Sequence, residues 1–189
     1  MDSAADHDAE VTHAALLAAE GDRAALSRFI RATQKDVWRF VAHLGHSGTA
    51  DDLTQETYLR AVKSIHRFRA ESSAKTWLLS IARRVCADEV RYARSRPRVS
   101  ADVDWVSAAD AHRSQRAGAR WEDLVEINLL LEGLPAERRE ALVLTQVLGL
   151  SYQEAAEVTG CPIGTVRSRV ARARESLIDA AAAQRRHIR

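Results

Sequence analysis

Apolar residues recur at three- and four-residue steps along most of this chain. Leu26, Phe29, Ile30, Val37, Phe40, Val41 and Leu44 form one stripe, with Thr33 set among them. That spacing predicts a long amphipathic helix, capped at its start by Asp22 and stopped at Gly45. A shorter helix over 11–19 precedes it. A third opens at Thr49 and Asp52, which form a capping pair, and continues through Leu53, Leu59, Val62 and Ile65; Leu53 and Val62 are expected to pack inward. A fourth, from about Ser73, places Trp77, Leu78, Ile81, Ala82 and Val85 on its buried side. Residues 11–95 therefore read as one small helical bundle, preceded by a disordered tail over 1–10.

The periodicity then stops. From 95 to 120 the chain carries Pro97, scattered Asp and Arg, and a single apolar spot at Trp105 and Val106. A stretch that long without a period is unusual inside a compact domain, so 96–120 is expected to be a flexible linker. Helical spacing returns over 121–132, 135–148, 151–158 and 162–183, with 184–189 as a tail. Pro135 stands at a first helical position and Gly149 just past a helix end. The second domain, 121–183, is thus also helical, and the fold class is all-α: two small helical domains joined by a flexible linker. No internal repeat relates them.

The most informative segment is SYQEAAEVTGCPIGTVRSRV at 151–170. Ser151 and Glu154 have the spacing of a capping box. Ala156 is small where two helices must cross closely, Gly160 falls where a tight turn needs positive φ, and Val166 faces inward on the next helix. This is the steric pattern of a helix-turn-helix. The second helix carries Arg167, Arg169, Arg172 and Arg174, and its N-terminal half can enter a major groove, where an Arg bidentate to guanine discriminates by about 1–3 kcal/mol. Gly164 and Thr165 are small enough to bring the helix end close to phosphates.

Composition supports this picture. Of 189 residues 34 are Ala, and only 3 are Pro, which favours helix. The net charge of +2 conceals blocks: −4 over 1–62, +7 over 63–100, −6 over 101–161 and +5 over 162–189. Two basic blocks separated by acidic ones suit two contacts with one polyanion. No apolar run approaches the length of a membrane span, so no membrane insertion is expected. The N-terminus is acidic, unlike a signal peptide. Cys86 and Cys161 form no CxxC motif, which points away from a disulfide framework and toward a cytoplasmic location.

Two stretches resemble one family, the extracytoplasmic-function (group 4) sigma factors of bacterial RNA polymerase, within the sigma-70 family. ADDLTQETYLRA at 50–61 resembles region 2.2, and LPAERREALVL at 134–144, followed by GTVRSR at 164–169, resembles regions 4.1 and 4.2. FRAESSAKTWL at 68–78 resembles the region 2.3 loop entering region 2.4. Within the family the similarity is to the mycobacterial sigma C type. The resemblance implies a sigma-2 bundle and a sigma-4 helix-turn-helix domain. The protein would bind core RNA polymerase, through the clamp helices and flap of the large subunits, and direct promoter-specific initiation.

Further implications follow residue by residue. Asp52, Gln55, Glu56 and Leu59 would form the polymerase-binding face. Phe68, Lys75, Trp77, Arg83, Arg84, Arg91 and Arg94 would bind the melted −10 strand, the cations tracking the backbone and the aromatics either stacking on bases or packing in the core. Arg84 replaces an Asn common in relatives. Arg167, Ser168 and Arg172 would face bases of the −35 duplex, with Thr165, Arg169 and Arg174 on its phosphates. Ala171 stands where relatives often carry a bulkier residue. The elements lie about 70 Å apart, within the roughly 85 Å that the linker can span. Asp102, Asp104 and Asp110 suit a linker threaded through the basic RNA channel. An anti-sigma factor is a further candidate partner, and nucleoid association follows from the DNA role.

Two other functional classes compete with this reading. His43 and His46 beside Asp51, Asp52 and Glu56 have a loose resemblance to metal ligands, yet the histidines flank a Gly-rich helix end where exposed polar residues are routine. No phosphate loop, nucleophile elbow or HExxH occurs. No metal, cofactor or catalytic activity is expected. The alternative function is a stand-alone helix-turn-helix regulator, which would ordinarily bind a palindrome as a dimer.

Overall fold

The computed structural model describes residues 2–44, 49–95 and 130–187, and every regular element among them is helical. Helices α1 (Asp2–Ala19), α2 (Arg23–Leu44), α3 (Ala50–Ser64) and α4 (Ala74–Ser95), with a 3-10 turn at Ile65–Arg67, make the first domain. Helices α5 (Ala136–Leu142), α6 (Tyr152–Thr159) and α7 (Ile163–His187), with a π turn at Val143–Val147, make the second. Gly45, His46 and Gly48, the linker with Trp105 and its acids, and most of the helix expected over 121–132 lie outside the described residues; 130–132 are helical.

The first domain is built as its periodicity requires. Phe29, Val37, Phe40 and Val41 of α2 pack against Leu53 and Ala61 of α3 and Leu78, Leu79, Ala82 and Val85 of α4. Asp22 caps α2 through Oδ1, which accepts from the backbone N–H groups of Ala24 and Ala25 at 2.7 and 3.0 Å. Those bonds hold its carboxyl below the ordinary carboxylate range. Buried hydroxyls find partners at once. Thr54 and Thr57 donate to carbonyls one turn back. Thr33 donates to the Phe29 carbonyl and shares a 2.8 Å hydrogen bond with Tyr58, tying α2 to α3. Burial pushes the Tyr58 phenol up to about 12.

Several boundaries differ from the sequence reading, each for a local reason. Helix α1 starts at Asp2, inside the stretch expected to be a disordered tail. The helix continues backward from the packed turns at Val11, Ala14 and Ala15 through an alanine-containing stretch. Helix α7 runs to His187, past the expected end at 183. Thr49 precedes α3 but makes no side-chain capping bond. Val62 is 43% exposed, not packed inward, because the buried stripe of α3 is Leu53, Thr54, Thr57 and Ala61, and Val62 falls one residue off it. The single helix expected over 135–148 widens after Leu142 into a π turn, in which Leu148 N–H donates to the Val143 carbonyl at 3.0 Å.

Removing packing and removing a hydrogen bond should separate clearly in this domain. Phe40→Ala is expected to cost about 3–5 kcal/mol in urea unfolding. Tyr58→Phe should cost only about 0.5–1.5 kcal/mol, because Thr33 keeps its bond to Phe29.

Candidate nucleic-acid interface

The helix-turn-helix forms as its residues dictate. Ser151 Oγ accepts from Glu154 N–H at 3.2 Å, and Glu154 Oε2 accepts from Ser151 N–H at 2.9 Å, so both halves of the capping box are made at the start of α6. Gly160 ends α6 in the left-handed region at φ 66°, and its N–H donates to the Ala156 carbonyl at 2.8 Å. Gly149, just past the π turn, is left-handed too, at φ 71°. Val166, Val170 and Ala173 of α7 are fully packed against the rest of the domain.

That packing sorts the basic residues of α7 onto three sides. On one flank Arg169 Nη2 donates to Glu137 Oε2 at 2.7 Å and Nη1 to the Cys161 sulfur at 3.5 Å, beside the half-buried Thr165. On the other, Arg174 Nη2 donates to Gln146 Oε1 at 2.6 Å, and the Arg167 guanidinium lies 5.9 Å from the centre of the Tyr152 ring. Ser168 and Arg172, one turn apart, are exposed between the flanks. The outer face is thus centred on two of the three residues expected to face bases, Ser168 and Arg172, while Arg167 and the cations expected on phosphates are held at its edge by their own domain.

The cations of α4 divide differently. Arg84 and Arg91 are exposed to solvent. Lys75 and Arg83 face the second domain. Lys75 Nζ pairs with Asp36 Oδ2 at 2.8 Å and donates to the Leu148 carbonyl at 2.9 Å. Arg83 Nε donates to Glu140 Oε1 at 2.6 Å. Helix α4 packs on α6 and α2 on α5, so the domains meet over the very helix expected to carry the −10 strand. Arg94 belongs to α4, with its side chain outside the described residues. Phe68 is buried, 4% exposed, with its ring centre 5.2 Å from that of the half-buried Trp77 in a tilted arrangement. Phe68 therefore serves packing and offers no stacking surface. On α3, Asp52, Gln55 and Leu59 are exposed and Glu56 is half-exposed, held by Arg60 at 2.6 Å.

Sequence reasoning missed Glu140, Asp36 and Arg60 as partners of the candidate residues. Glu140 was legible only as one more acid in a charged helix, yet it is buried, 5% exposed. Among the described residues no cluster of His, Cys, Asp and Glu could hold a metal, and no helix is long and apolar enough to cross a membrane.

A bundle and a helix-turn-helix domain, each presenting cations to solvent on one helix, define a two-domain helical DNA-binding protein. Its family follows from comparison with known proteins. Residues 29–96 match the model "Sigma-70 region 2" and 124–177 match "Sigma-70, region 4". The chain is 55% identical over 178 residues to the ECF RNA polymerase sigma factor SigC of Mycobacterium tuberculosis, covering 94% of this chain and 95% of that one. It is 35% identical over 170 residues to the ECF RNA polymerase sigma-E factor of Escherichia coli K12, covering 84% and 87%. Among solved structures, the sigma factor RpoE of Bartonella quintana in complex with the anti-sigma factor NepR superposes with a TM-score of 0.66 at 28% identity, covering 82% of this chain and 94% of that one. CnrH in complex with the cytosolic domain of CnrY shares the fold, with a TM-score of 0.71 at 24% identity, covering 92% and 98%. The chain belongs to the extracytoplasmic-function sigma factors of the sigma-70 family. It is a promoter-directing sigma factor, and its relatives are not enzymes.

Two outcomes test this geometry. A Cβ at Gly160 would meet nothing within 4 Å, so Gly160→Ala should cost only the left-handed backbone penalty, about 1–2 kcal/mol in thermal unfolding. Burial, opposed by Arg83, raises the Glu140 carboxyl above 4.5. A raised acid is protonated more readily in the folded chain than in the unfolded one. Its contribution to folding stability is therefore fully present below 4.5 and lost as pH rises through the raised value. Thermal unfolding should report a rising contribution from this group as pH falls toward 4.5, and Glu140→Gln should flatten that profile. An unchanged profile in the variant would assign the dependence to another group.

Proposed function

We propose that the outward face of α7 reads the −35 duplex, with Arg172 and Ser168 on base edges and Thr165, Arg167, Arg169 and Arg174 orienting the helix on the flanking backbone. The observation that carries this reading is the sorting of α7, which leaves Ser168 and Arg172 at the centre of the exposed face while Arg169 and Arg174 are braced by Glu137 and Gln146. Braced cations suit positioning and an outward one suits base readout. This moves Arg167 from the bases to the edge, where Tyr152 holds it.

Helix α4 then takes the melted −10 strand. Arg84 and Arg91 offer the exposed part of its cationic path, Arg94 belongs to the same helix, and Lys75 and Arg83 join once the second domain moves off α4. Trp77 is the aromatic left to meet a base. The α3 face of Asp52, Gln55, Glu56 and Leu59 docks on the clamp helices of core polymerase, and the second domain on the flap. Core polymerase performs the chemistry, so this chain has no catalytic step of its own. It works in the cytoplasm at the nucleoid, and an anti-sigma factor, of the kind bound in the RpoE complex, is a fitting regulator.

In vitro transcription of a genomic fragment library, with core polymerase and with or without the chain, is expected to yield new start sites sharing two upstream elements. Arg172→Ala should then lose about 1–3 kcal/mol at one base pair of the −35 element. Equal weakening on every sequence would place Arg172 on phosphate. Retained duplex binding without core-dependent initiation would replace this reading with a stand-alone regulator.

A further inference from the structure

Helices α3 and α4 are joined on their solvent side by a run of alternating charges. Arg60 Nε donates to Glu56 Oε1 at 2.6 Å, one turn back on α3. Arg60 Nη1 donates across to Asp88 Oδ2 on α4, also at 2.6 Å. The second oxygen of Asp88, Oδ1, accepts from Arg91 Nη2. The order is Glu56, Arg60, Asp88, Arg91: negative, positive, negative, positive. Its first member lies in the polymerase-docking face and its last on the exposed −10 side of α4. Its two middle members have no place in either.

The geometry makes this a shared set, because each inner group divides itself between two partners. The Arg60 fork is split between Glu56 and Asp88, and the Asp88 carboxylate is split between Arg60 and Arg91. Asp88 is held below the ordinary carboxylate range by Arg60 first and Arg91 second, in keeping with that division. All four side chains are at least a third exposed, so each contact is weak and can be exchanged for another of the same kind.

We propose that Arg60 and Asp88 are positioning residues that couple polymerase docking to −10 binding. In the free chain Asp88 keeps Arg91 engaged. When Glu56 turns to a cationic group on core polymerase, Arg60 turns its whole fork to Asp88. Arg91 is then released to a phosphate of the melted strand. Electrostatics favours the exchange at both ends, since each displaced charge finds a new partner of opposite sign. The inference rests on the roles proposed above for Glu56 and Arg91.

The test is binding of a labelled single strand carrying the non-template −10 sequence from the transcription experiment, to the full chain alone and with core polymerase. For the free chain, Asp88→Asn should tighten binding about two- to five-fold. It should also steepen the salt dependence by about the contribution of one phosphate contact. Glu56→Gln should act in the same direction. Both gains should vanish in an Arg91→Ala background, and the Asp88→Asn gain should vanish once core polymerase is bound. An affinity and salt slope unchanged by Asp88→Asn in the free chain would overturn the coupling, as would a gain of equal size with and without polymerase. Arg91→Ala in the holoenzyme separates the two failures. Weaker binding there with a neutral Asp88→Asn removes the coupling alone; unchanged binding removes Arg91 from the DNA path and the coupling with it.

Discussion

Helix α4 buries Leu78, Leu79, Ala82, Val85 and Cys86 against the first domain, and that burial decides where Lys75, Arg83, Arg84 and Arg91 can point. One stripe of a helix is committed to the core, so the remaining surface divides into an outer side and a flank. Arg84 and Arg91 fall on the outer side, Lys75 and Arg83 on the flank that meets the second domain. The same apolar contact that makes the bundle therefore also separates the cations on the outer side from those engaged at the second domain. The buried Cys86 thiol, raised to about 12 chiefly by burial, belongs to that packed stripe and is a core residue, not a nucleophile.

The domain contact joins groups of unequal hydration. Arg83 is 38% exposed while Glu140 is buried, so the pair joins a hydrated guanidinium to a carboxylate that has given up its water. Desolvation of the acid opposes much of the attraction between them. Lys75 gives one of its hydrogen bonds to a carbonyl, a neutral acceptor that any phosphate oxygen could replace with a stronger, charge-assisted one.

How much of this was legible depended on how local each cause is. The turn at Gly160, the capping box at Ser151 and the stop at Gly149 are set by residues within a few positions, and each formed where the sequence placed it. Both domain cores followed from periodicity for the same reason. Val62 went astray because it follows Leu53 by about two and a half helical turns, which puts the two on opposite sides of α3, where the buried stripe includes Thr54 and Thr57 and not only apolar residues. Arg83–Glu140, Lys75–Asp36 and Arg60–Asp88 join residues far apart in sequence, and nothing in a charge count says which acid meets which base. Phe68 was legible as either a base platform or a core residue, and only its neighbours decide: Trp77 covers it.

Chain connectivity explains how contacts this weak can matter. The two domains are parts of one chain, and covalent connection raises the effective concentration of one at the other, to the order of millimolar where the connection is short and flexible. A contact too weak to join separate molecules is then enough to bring α6 onto α4. On core polymerase, in the reading proposed above, the same arithmetic would reverse. Two docking sites that hold the domains apart at the spacing of the promoter elements would remove the advantage of connection, and the weak contact would yield without any strong bond being broken. Polymerase binding and exposure of the α4 flank would then be one event, driven by geometry more than by the energy of any single ion pair.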